Sequence, residues 1–250
     1  MSKDFPVLIT SSVTPQDNTV RLKSARERLK HTLDALAEWR QIAPHSPIIV
    51  CDGSGFDFSA YLDSLCGSVP HEALCFQNDI DLVKLYGKGY GEGEIIRYAL
   101  QNSSLLRRFE SFVKCTAKLW VANYPRIVSE YREPLKISGY FSNVFNLKKT
   151  IYSYIDTRFY IVQKEFYQRH FLDAHLLDLG DRKLGLEYQF KAALSKTQLQ
   201  SYLFRHPLIM QGVSGGSGHH SKTGIRKRIK NELRNFLVMR NPRFRNLFQV

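Results

Sequence analysis

Three apolar, β-branched runs alternate with segments of helical periodicity in the first part of the chain, and this alternation constrains the fold most. The runs lie at residues 6–13, 47–54 and 71–77. The segments that follow them span 19–42, 58–66 and 93–106, and the longest repeats apolar residues every three or four positions, as one helix face does. A strand–helix series of this kind predicts an α/β fold with a mainly parallel central sheet and helices on both of its faces.

Polar side chains follow the first two predicted strands. Ser11 lies at the end of the first run, and Asp52 opens an Asp-Gly-Ser sequence at the end of the second. Ligands of open α/β sheets bind at the carboxyl ends of the strands. We therefore expect both residues at a binding site, where Asp52 accepts hydrogen bonds from a nucleoside. The alternative for Asp52 is an aspartate that caps the next turn.

A glycine-rich segment, GKGYGEG, occupies residues 87–93. It lacks the Gly-Lys-Ser/Thr sequence that opens the helix of a Walker A motif. Glu92 and Glu94 would also repel a phosphate from the helix N-terminus expected here. We predict a flexible turn that brings Lys88, Tyr90 and Glu92 near a sugar, with simple turn and capping chemistry as the alternative.

Polar and apolar residues alternate in FVKCTAKLWVAN, residues 112–123, which we predict to be a strand or a helix. On a strand, Lys114, Thr116 and Lys118 would share one face. Two ammonium groups beside a hydroxyl can neutralise a diphosphate without a metal ion. The alternative is a solvated strand face.

Two carboxylates are candidates for a general base. Asp156 forms a charged pair with Arg158 inside the aromatic run SYIDTRFYIV, where an unpaired buried charge would be costly. Either an internal salt bridge or a functional site explains this pair. Glu187 lies in a predicted amphipathic helix over 184–196 and is either a catalytic base or merely exposed.

Patterns typical of metal sites are weak in this sequence. Asp79-Ile80-Asp81 has the D-x-D form that can hold a divalent cation, but short acidic pairs of this kind are common by chance. The four cysteines have neither C-x-x-C spacing nor histidines at zinc spacing. We expect them to be buried, reduced thiols.

Basic residues concentrate at the end of the chain. The segment from residue 222 onward carries a charge of +8, and the first 221 residues carry the other +5 of the total +13. A helix over 225–237 would place five apolar residues on one face, with basic residues around it: Ile225, Ile229, Leu233, Phe236 and Leu237. Basic amphipathic helices bind anionic membrane surfaces. Nucleic-acid binding, or packing of the apolar stripe on the body, are the alternatives.

A Gly/Ser-rich segment at residues 212–224 precedes this tail. Its backbone N–H groups can wrap phosphate oxygens, and its cations can stabilise a departing nucleoside diphosphate. The alternative is a disordered linker. The expected organisation is a catalytic domain over 1–211, the loop over 212–224 and the basic tail over 225–250.

No apolar run reaches the ~20 residues that a membrane-spanning helix needs. The first residues, MSKDFPVLITSSVTP, predict a first strand and not a signal peptide. We therefore expect a cytosolic location.

Several segments together resemble the GT-A glycosyltransferases that build bacterial lipopolysaccharide, O-antigen or capsule. They are CDGS at 51–54, GKGYGE at 87–92, FVKCTAKLWVAN at 112–123 and DTRF at 156–159. Members of this group tend to have a K-x-T-G-R-type segment followed by an Asn, then D-T-R-F and a later Gly/Ser-rich segment. Here Ala117 and Lys118 stand where Gly and Arg are usual. The resemblance covers most of residues 6–222 and implies a GT-A-like, Rossmann-like fold.

The resemblance implies transfer of a sugar from a nucleotide-sugar donor to a hydroxyl of a lipid-linked surface glycan, at the inner face of the cytoplasmic membrane. The D-x-D motif usual in this group after the fourth strand is missing here, unless Asp156 serves. This departure favours metal-independent neutralisation of the diphosphate by Lys114, Lys118 or Arg158, with Mg²⁺ or Mn²⁺ as the alternative. A nucleotidyltransferase and a nucleic-acid-binding protein are the competing classes, and the modest charge of the body does not favour nucleic acid.

The expected site residues fall into three groups. General-base candidates are Asp156 and Glu187. Donor-binding candidates are Ser11, Asp52, Lys114, Thr116, Lys118, Arg158, Ser217, His219 and Lys222. Acceptor-binding or sugar-binding candidates are Lys88, Tyr90, Glu92 and Asn123.

Overall fold

The structure, a computed structural model, describes residues 4–177, 185–216, 218 and 224–249. Its strands are β1 (Val7–Ser11), β2 (Ile48–Asp52), β3 (His71–Cys75), β4 (Ser111–Thr116), β5 (Leu119–Val121), β6 (Leu135–Ser142), β7 (Ile151–Gln163) and β8 (Met210–Gly212). Six of them form one sheet in the order β3-β2-β1-β4-β7-β6, and β5 pairs with β8. The strands β3, β2, β1 and β4 run parallel, whereas β7 runs antiparallel to both of its neighbours, β4 and β6. The prediction of an α/β fold with a mainly parallel sheet is confirmed.

Helices cover both faces of this sheet. They are α1 (Ala25–Ile42), α2 (Ser59–Cys66), α3 (Ile80–Tyr86), α4 (Lys88–Asn102), α5 (Ser104–Arg107), α6 (Tyr124–Ser129), α7 (Lys164–His170), α8 (Leu186–Ser195) and α9 (Ile225–Arg240). Short 3₁₀ turns lie at Ala174–Leu176 and Arg245–Phe248. One apolar layer joins the sheet to α4, α8 and α9, and the other joins it to α1, α2 and α6.

Helix α1 begins later than its apolar periodicity predicts. The Asp17 carboxylate accepts hydrogen bonds of 2.8 Å from both the backbone N–H and the hydroxyl of Thr19, which holds this segment in a turn. Ser24 then caps the helix by accepting from the Glu27 N–H at 3.3 Å. The loop between β1 and α1 is therefore longer than expected, and it forms one wall of the site described below.

The glycine-rich segment 87–93 is not the flexible turn that the sequence predicted. Residues 88–93 form the first turns of α4, with Gly87 as the N-cap, and neighbouring atoms lie close to Gly89, Gly91 and Gly93. A Cβ added to Gly93 would lie only 2.2 Å from the ring of His175. Glu92 consequently lies in the second turn of the helix, and the Asp17 carboxylate accepts from the Lys88 N–H at the helix N-terminus at 3.0 Å.

The C-terminal segment divides into a protruding part and a packed part. The predicted apolar stripe of α9 remains exposed, with Ile225 at 75% and Ile229 at 64%. By contrast, Val238, Phe244 and Phe248 belong to the same apolar cluster as the sheet. The domain boundary at residue 225 stays a prediction, but the last turns of the chain are part of the core.

None of the helices in the described ranges is both long enough and apolar enough to cross a bilayer.

Candidate functional site

A cavity of about 420 Å³ opens at the carboxyl ends of β1 and β4, where the strand order predicts a ligand site. Its walls come from the β1–α1 loop, the first half of α4, the turn between β4 and β5, the first turn of α8 and the segment after β8. Small-molecule sites in proteins typically have volumes of about 300–1,000 Å³. The cavity is thus large enough for a nucleotide-sized ligand.

Glu92 lies on the cavity wall and joins helix α4 to the strands β1 and β4. Its Oε1 accepts from Lys114 Nζ at 2.6 Å, Thr116 Oγ1 at 2.9 Å and Thr10 Oγ1 at 3.0 Å. Burial tends to raise the pKa of this carboxyl, but Lys114 and the two hydroxyls outweigh burial, so the pKa of Glu92 is lowered. An ionised carboxylate is therefore fixed on the cavity wall, as expected for a group that accepts hydrogen bonds from a sugar.

Lys114 supports Glu92 and does not face the cavity. Besides its contact with Glu92, its Nζ donates to Thr116 Oγ1 at 2.9 Å and to the Thr157 carbonyl at 2.8 Å. An ammonium group has three donors, and here all three are used inside the protein. The side chain is fully buried. This corrects the expectation that Lys114 faces a diphosphate, and Thr116 shares this network while also lining the cavity.

Lys118 lines the cavity as predicted, although it follows β4 and does not lie on it. It takes a left-handed backbone conformation with φ of 70°. The return strand β8 lies so close that a Cβ on Gly212 would be 2.0 Å from the Lys118 carbonyl oxygen. Burial removes hydration from the ammonium and Arg28 repels it, which lowers the pKa of Lys118 to about 7.

Arg28 is a buried cation that the sequence analysis missed. Its Nε donates to the Ser12 carbonyl at 2.7 Å and its Nη1 to the Leu22 carbonyl at 3.2 Å, which holds the guanidinium at the cavity. Burial lowers its pKa, and Asp52 opposes that shift. The available signal was its spacing, because Arg28 precedes Thr32, Ala35 and Trp39 on the buried stripe of α1.

Three cationic side chains lie close to the glycine pair at residues 215–216 on the cavity wall. A Cβ on Gly215 would lie 2.9 Å from Lys118 Cε and 3.2 Å from Arg28 Nη1, and a Cβ on Gly216 would lie 3.1 Å from Lys88 Nζ. Arg158 also lines the cavity. Carboxylates of Asp17, Glu92 and Glu187 line it as well, so positive and negative groups face the same space.

Ser11 presents a buried hydroxyl to the cavity. The residue is 2% exposed, and its Oγ has no hydrogen-bond partner among the residues that the structure describes. A buried polar group without a partner is costly. A ligand oxygen that hydrogen-bonds to this hydroxyl would remove that cost.

Asp52 has a structural role, which corrects the expected contact with a nucleoside. Its Oδ2 accepts from the Val13 N–H at 2.9 Å. Its Oδ1 accepts from the N–H of Ser54 at 2.8 Å, the hydroxyl of Ser54 at 2.6 Å and the N–H of Phe56 at 3.3 Å. The residue is fully buried. The alternative of a turn-capping aspartate is therefore the one observed.

Two expected acceptor-binding residues lie away from the cavity. The Tyr90 ring packs beside His175 and Tyr86, with centroid distances of 5.6 Å to each. Asn123 holds the return strand: its Nδ2 donates to the Pro207 carbonyl at 3.1 Å, and its Oδ1 accepts from the Ile209 N–H at 2.9 Å. Neither side chain is available for a sugar in this arrangement, whereas Lys88 and Glu92 line the cavity.

The two base candidates differ in their surroundings. Arg158 holds Asp156 with two hydrogen bonds, from Nε to Oδ1 at 2.8 Å and from Nη2 to Oδ2 at 2.5 Å. Burial would raise the pKa of Asp156, but the bonds and charge of Arg158 lower it. Asp156 is thus committed to an ion pair, which disfavours it as a base. Glu187, in the first turn of α8, lines the cavity.

Groups of three or more potential metal ligands are absent from the described ranges. Asp79 caps α3, where its Oδ1 accepts from the N–H groups of Asp81 and Leu82 at 3.0 Å each. Asp81 is almost fully exposed beside Lys84, with 3.8 Å between the charged atoms. The D-x-D sequence therefore serves helix capping. Of the cysteines, Cys75 is exposed, contrary to expectation, and the other three are buried.

Ser217, His219 and Lys222 lie outside the described residues, so their expected contacts with the donor stay predictions. Their neighbours Ser214, Gly215 and Gly216 line the cavity.

No protein-family model matches the sequence, and no curated protein matches it. Solved structures share part of its architecture. A proposed nucleotide-diphospho-sugar transferase from Desulfovibrio desulfuricans is 13% identical over 82% of this chain and 80% of its own, with a TM-score of 0.47. HddC from Yersinia pseudotuberculosis, complexed with GMP-PN, is 12% identical over 92% of this chain and 98% of its own, with a TM-score of 0.45.

The bifunctional glycosyltransferase WbbM is 12% identical over 78% of this chain and 37% of its own, with a TM-score of 0.44. At TM-scores below 0.5, these similarities establish neither a family nor an activity.

Proposed function

We propose that this protein is a glycosyltransferase that moves a sugar from a nucleotide-sugar donor to a hydroxyl of a glycan. The observation that carries the proposal is the cavity itself, in which Arg28, Lys88, Lys118 and Arg158 face carboxylates within one enclosed space. Cations suit a diphosphate, and fixed carboxylates suit the hydroxyls of a sugar. A site for a simple anion would not need the carboxylates.

Lys118 and Arg28 would bind the diphosphate, beside the backbone of the 215–216 segment. The Ser11 hydroxyl, which has no hydrogen-bond partner among the described residues, would donate to a phosphate oxygen. These groups would also stabilise the negative charge that develops on the departing nucleoside diphosphate. Glu92, with its Oε1 already held by three donors, would accept from hydroxyls of the transferred sugar.

Glu187 would act as the general base in an inverting transfer. It would take the proton of the acceptor hydroxyl as the acceptor oxygen bonds to the anomeric carbon and the bond from that carbon to the diphosphate breaks. Base catalysis contributes typically 10²–10⁴-fold. Glu187→Gln should therefore lower turnover about 100-fold or more while donor affinity stays within about twofold.

The test of this activity is a donor panel of UDP-, GDP-, CMP- and dTDP-sugars, with and without EDTA, and with added Mg²⁺ or Mn²⁺. Glycosyl transfer predicts release of the nucleotide from at least one donor. Release of pyrophosphate from a nucleoside triphosphate and a sugar phosphate, with every nucleotide-sugar inert, would instead identify a nucleotidyltransferase and overturn the proposal.

The acceptor is proposed to be lipid-linked, with α9 docking on the anionic inner face of the cytoplasmic membrane. Ile225, Ile229, Leu233 and Phe236 form an exposed stripe, each at least 48% exposed. Basic residues lie on the same helix. Each Lys or Arg near an anionic membrane surface contributes about 1 kcal/mol, weakened by salt.

Liposome flotation would test this docking. Deletion of the tail is unsuitable, because Val238, Phe244 and Phe248 lie in the core. An Ile225→Ser, Ile229→Ser double variant should instead lose binding to anionic vesicles and keep its thermal stability. Equal binding to anionic and neutral vesicles would refute the electrostatic part of the proposal.

A further inference from the structure

An exposed group of tyrosines lies beside the cavity, and neither the fold nor the proposed donor site explains it. Tyr140 on β6 stacks on Tyr154 of β7, with ring centroids 4.8 Å apart and planes 9° apart. Tyr188 on α8 completes the group, with its centroid 5.7 Å from that of Tyr154. Tyr140 and Tyr188 are each 47% exposed. We call Tyr140, Tyr154 and Tyr188 the tyrosine platform.

Two elements connect the tyrosine platform to the cavity. Tyr188 directly follows Glu187, the proposed base, in the first turn of α8. On β7, Tyr154 precedes the ion pair of Asp156 and Arg158, and Arg158 lines the cavity. Four residues of a strand span roughly 13 Å. The platform therefore begins roughly 13 Å from Arg158 along β7 and directly after Glu187 along α8.

The position of Tyr188 is fixed against β7. Lys191, one helical turn further along α8, donates from its Nζ to the Tyr152 carbonyl at 2.5 Å and to the Ser153 carbonyl at 3.1 Å. These bonds hold the exposed face of α8 beside the strand that carries Tyr154. The three rings therefore form a preorganised surface and not independent mobile side chains.

The chemistry of the platform suits a pyranose ring. A sugar presents C–H groups on its faces and hydroxyls around its edge. Aromatic rings contact the former, while phenol hydroxyls and the neighbouring Asp156–Arg158 pair can hydrogen-bond to the latter. The pKa of Tyr154 is raised, mainly by burial and then by Asp156 and Tyr140, so its phenol remains a hydrogen-bond donor at neutral pH.

We propose that the tyrosine platform is the acceptor subsite, where a pyranose ring of the acceptor glycan stacks so that its next hydroxyl reaches Glu187 in the cavity. This inference rests on the proposed glycosyl transfer and replaces Tyr90 and Asn123 as acceptor contacts. The platform binds the acceptor without touching the diphosphate.

Saturation-transfer NMR with simple sugars tests the platform independently of turnover. The probes are methyl pyranosides of glucose, galactose, mannose and rhamnose at millimolar concentration. The ring C–H protons of at least one probe should receive saturation from the wild-type protein. Tyr154→Ala and Tyr188→Ala should each reduce that signal at least threefold, and Tyr188→Phe should retain most of it.

Tyr61→Ala is the matched control. Tyr61 on α2 is 40% exposed and stacks on Phe56 at 6.1 Å, but α2 and α8 pack on opposite faces of the sheet. The Tyr61→Ala substitution should leave the saturation-transfer signal of the sugar unchanged. Thermal melting of every variant checks folding, and a purely structural role of the platform would lower melting temperatures while leaving the signal per folded protein unchanged.

Failure of this inference and failure of the proposed function are distinguishable. Nucleotide binding without saturation of any pyranoside, or with equal signals in all variants, overturns the platform and leaves glycosyl transfer standing. Saturation that depends on Tyr154 and Tyr188, in a protein that binds no nucleotide, supports the platform and overturns the donor site.

Discussion

At the residue scale, hydrogen-bond partners inside the protein decide which polar side chains are left to face the cavity. The sequence identified Ser11 and Asp52 by their positions at strand ends, and Lys114 and Lys118 by the alternation of polar and apolar residues; all of them lie near that edge of the sheet. Two face inward to protein partners, because the turn after β2 supplies donors to Asp52 and Glu92 pairs with Lys114. Glu92 lies far from Lys114 in the sequence, so residue spacing alone could not reveal that pair. The donors to Asp52 in its own turn are local, and they match the turn-capping alternative that the sequence left open.

Ser11→Ala should weaken nucleotide binding several-fold without lowering stability. The Ser11 hydroxyl has no partner among the described residues, so its removal costs the empty protein nothing. Ser54→Ala is the control, because the Ser54 hydroxyl donates to buried Asp52 at 2.6 Å. That variant should lose about 1–2 kcal/mol of unfolding free energy and keep nucleotide affinity. Titration calorimetry and urea unfolding measure the two effects, and unchanged affinity in Ser11→Ala would contradict the assigned contact.

Lys118 should make nucleotide binding depend on pH. With a pKa of about 7, this lysine is largely neutral in the empty protein at pH 8, and a bound diphosphate favours its protonated form. Binding at pH 8 should therefore take up a proton, and affinity should fall as pH rises above 7. Calorimetry in buffers of different ionisation enthalpy measures the uptake. Lys118→Met should abolish it, and an uptake that persists in this variant would assign it to another group.

At the element scale, regular sequence patterns predicted most helices and strands well. At one segment, residues 87–93, packing produced a helix where the sequence pattern predicted a turn. The strands around 6–13 and 47–54 and the helix of the tail follow from apolar periodicity. The glycine-rich start of α4 does not follow from such periodicity, because glycine is a poor helix former in isolation. Its glycines are explained by close contacts with other elements, such as His175 against Gly93. Contacts between elements distant in sequence cannot be read from a local pattern.

Gly93→Ala should destabilise the protein although alanine favours helices. The propensity gain is about 1 kcal/mol, but the new methyl group would lie 2.2 Å from buried His175, and overpacking of this kind costs about 1–3 kcal/mol. We expect a net loss of unfolding free energy, measured by urea denaturation. Gly224→Ala, at a position with no atom of the described residues within 4 Å of the added Cβ, should lower it less. A stabilised Gly93→Ala variant would favour the loop that the sequence predicted.

At the scale of the whole molecule, the strand–helix series fixed the sheet and the edge at which the cavity opens. It did not identify Arg28, and it did not show how Arg28 from α1, Glu92 from α4 and Glu187 from α8 come together, since only the fold brings them to one cavity. The tail also has two parts, since its first turns are exposed while Phe244 and Phe248 complete the core. The excess charge of the tail therefore belongs to an element whose end is anchored in the core.

The central claim is that the cationic cavity binds the diphosphate of a nucleotide sugar. Titration calorimetry with UDP, GDP, CDP and dTDP, with and without EDTA, measures this directly. We predict micromolar binding of at least one nucleotide, weakened at least tenfold by Lys118→Met. Absence of binding by all four at millimolar concentration, or binding unaffected by that substitution, would contradict the claim.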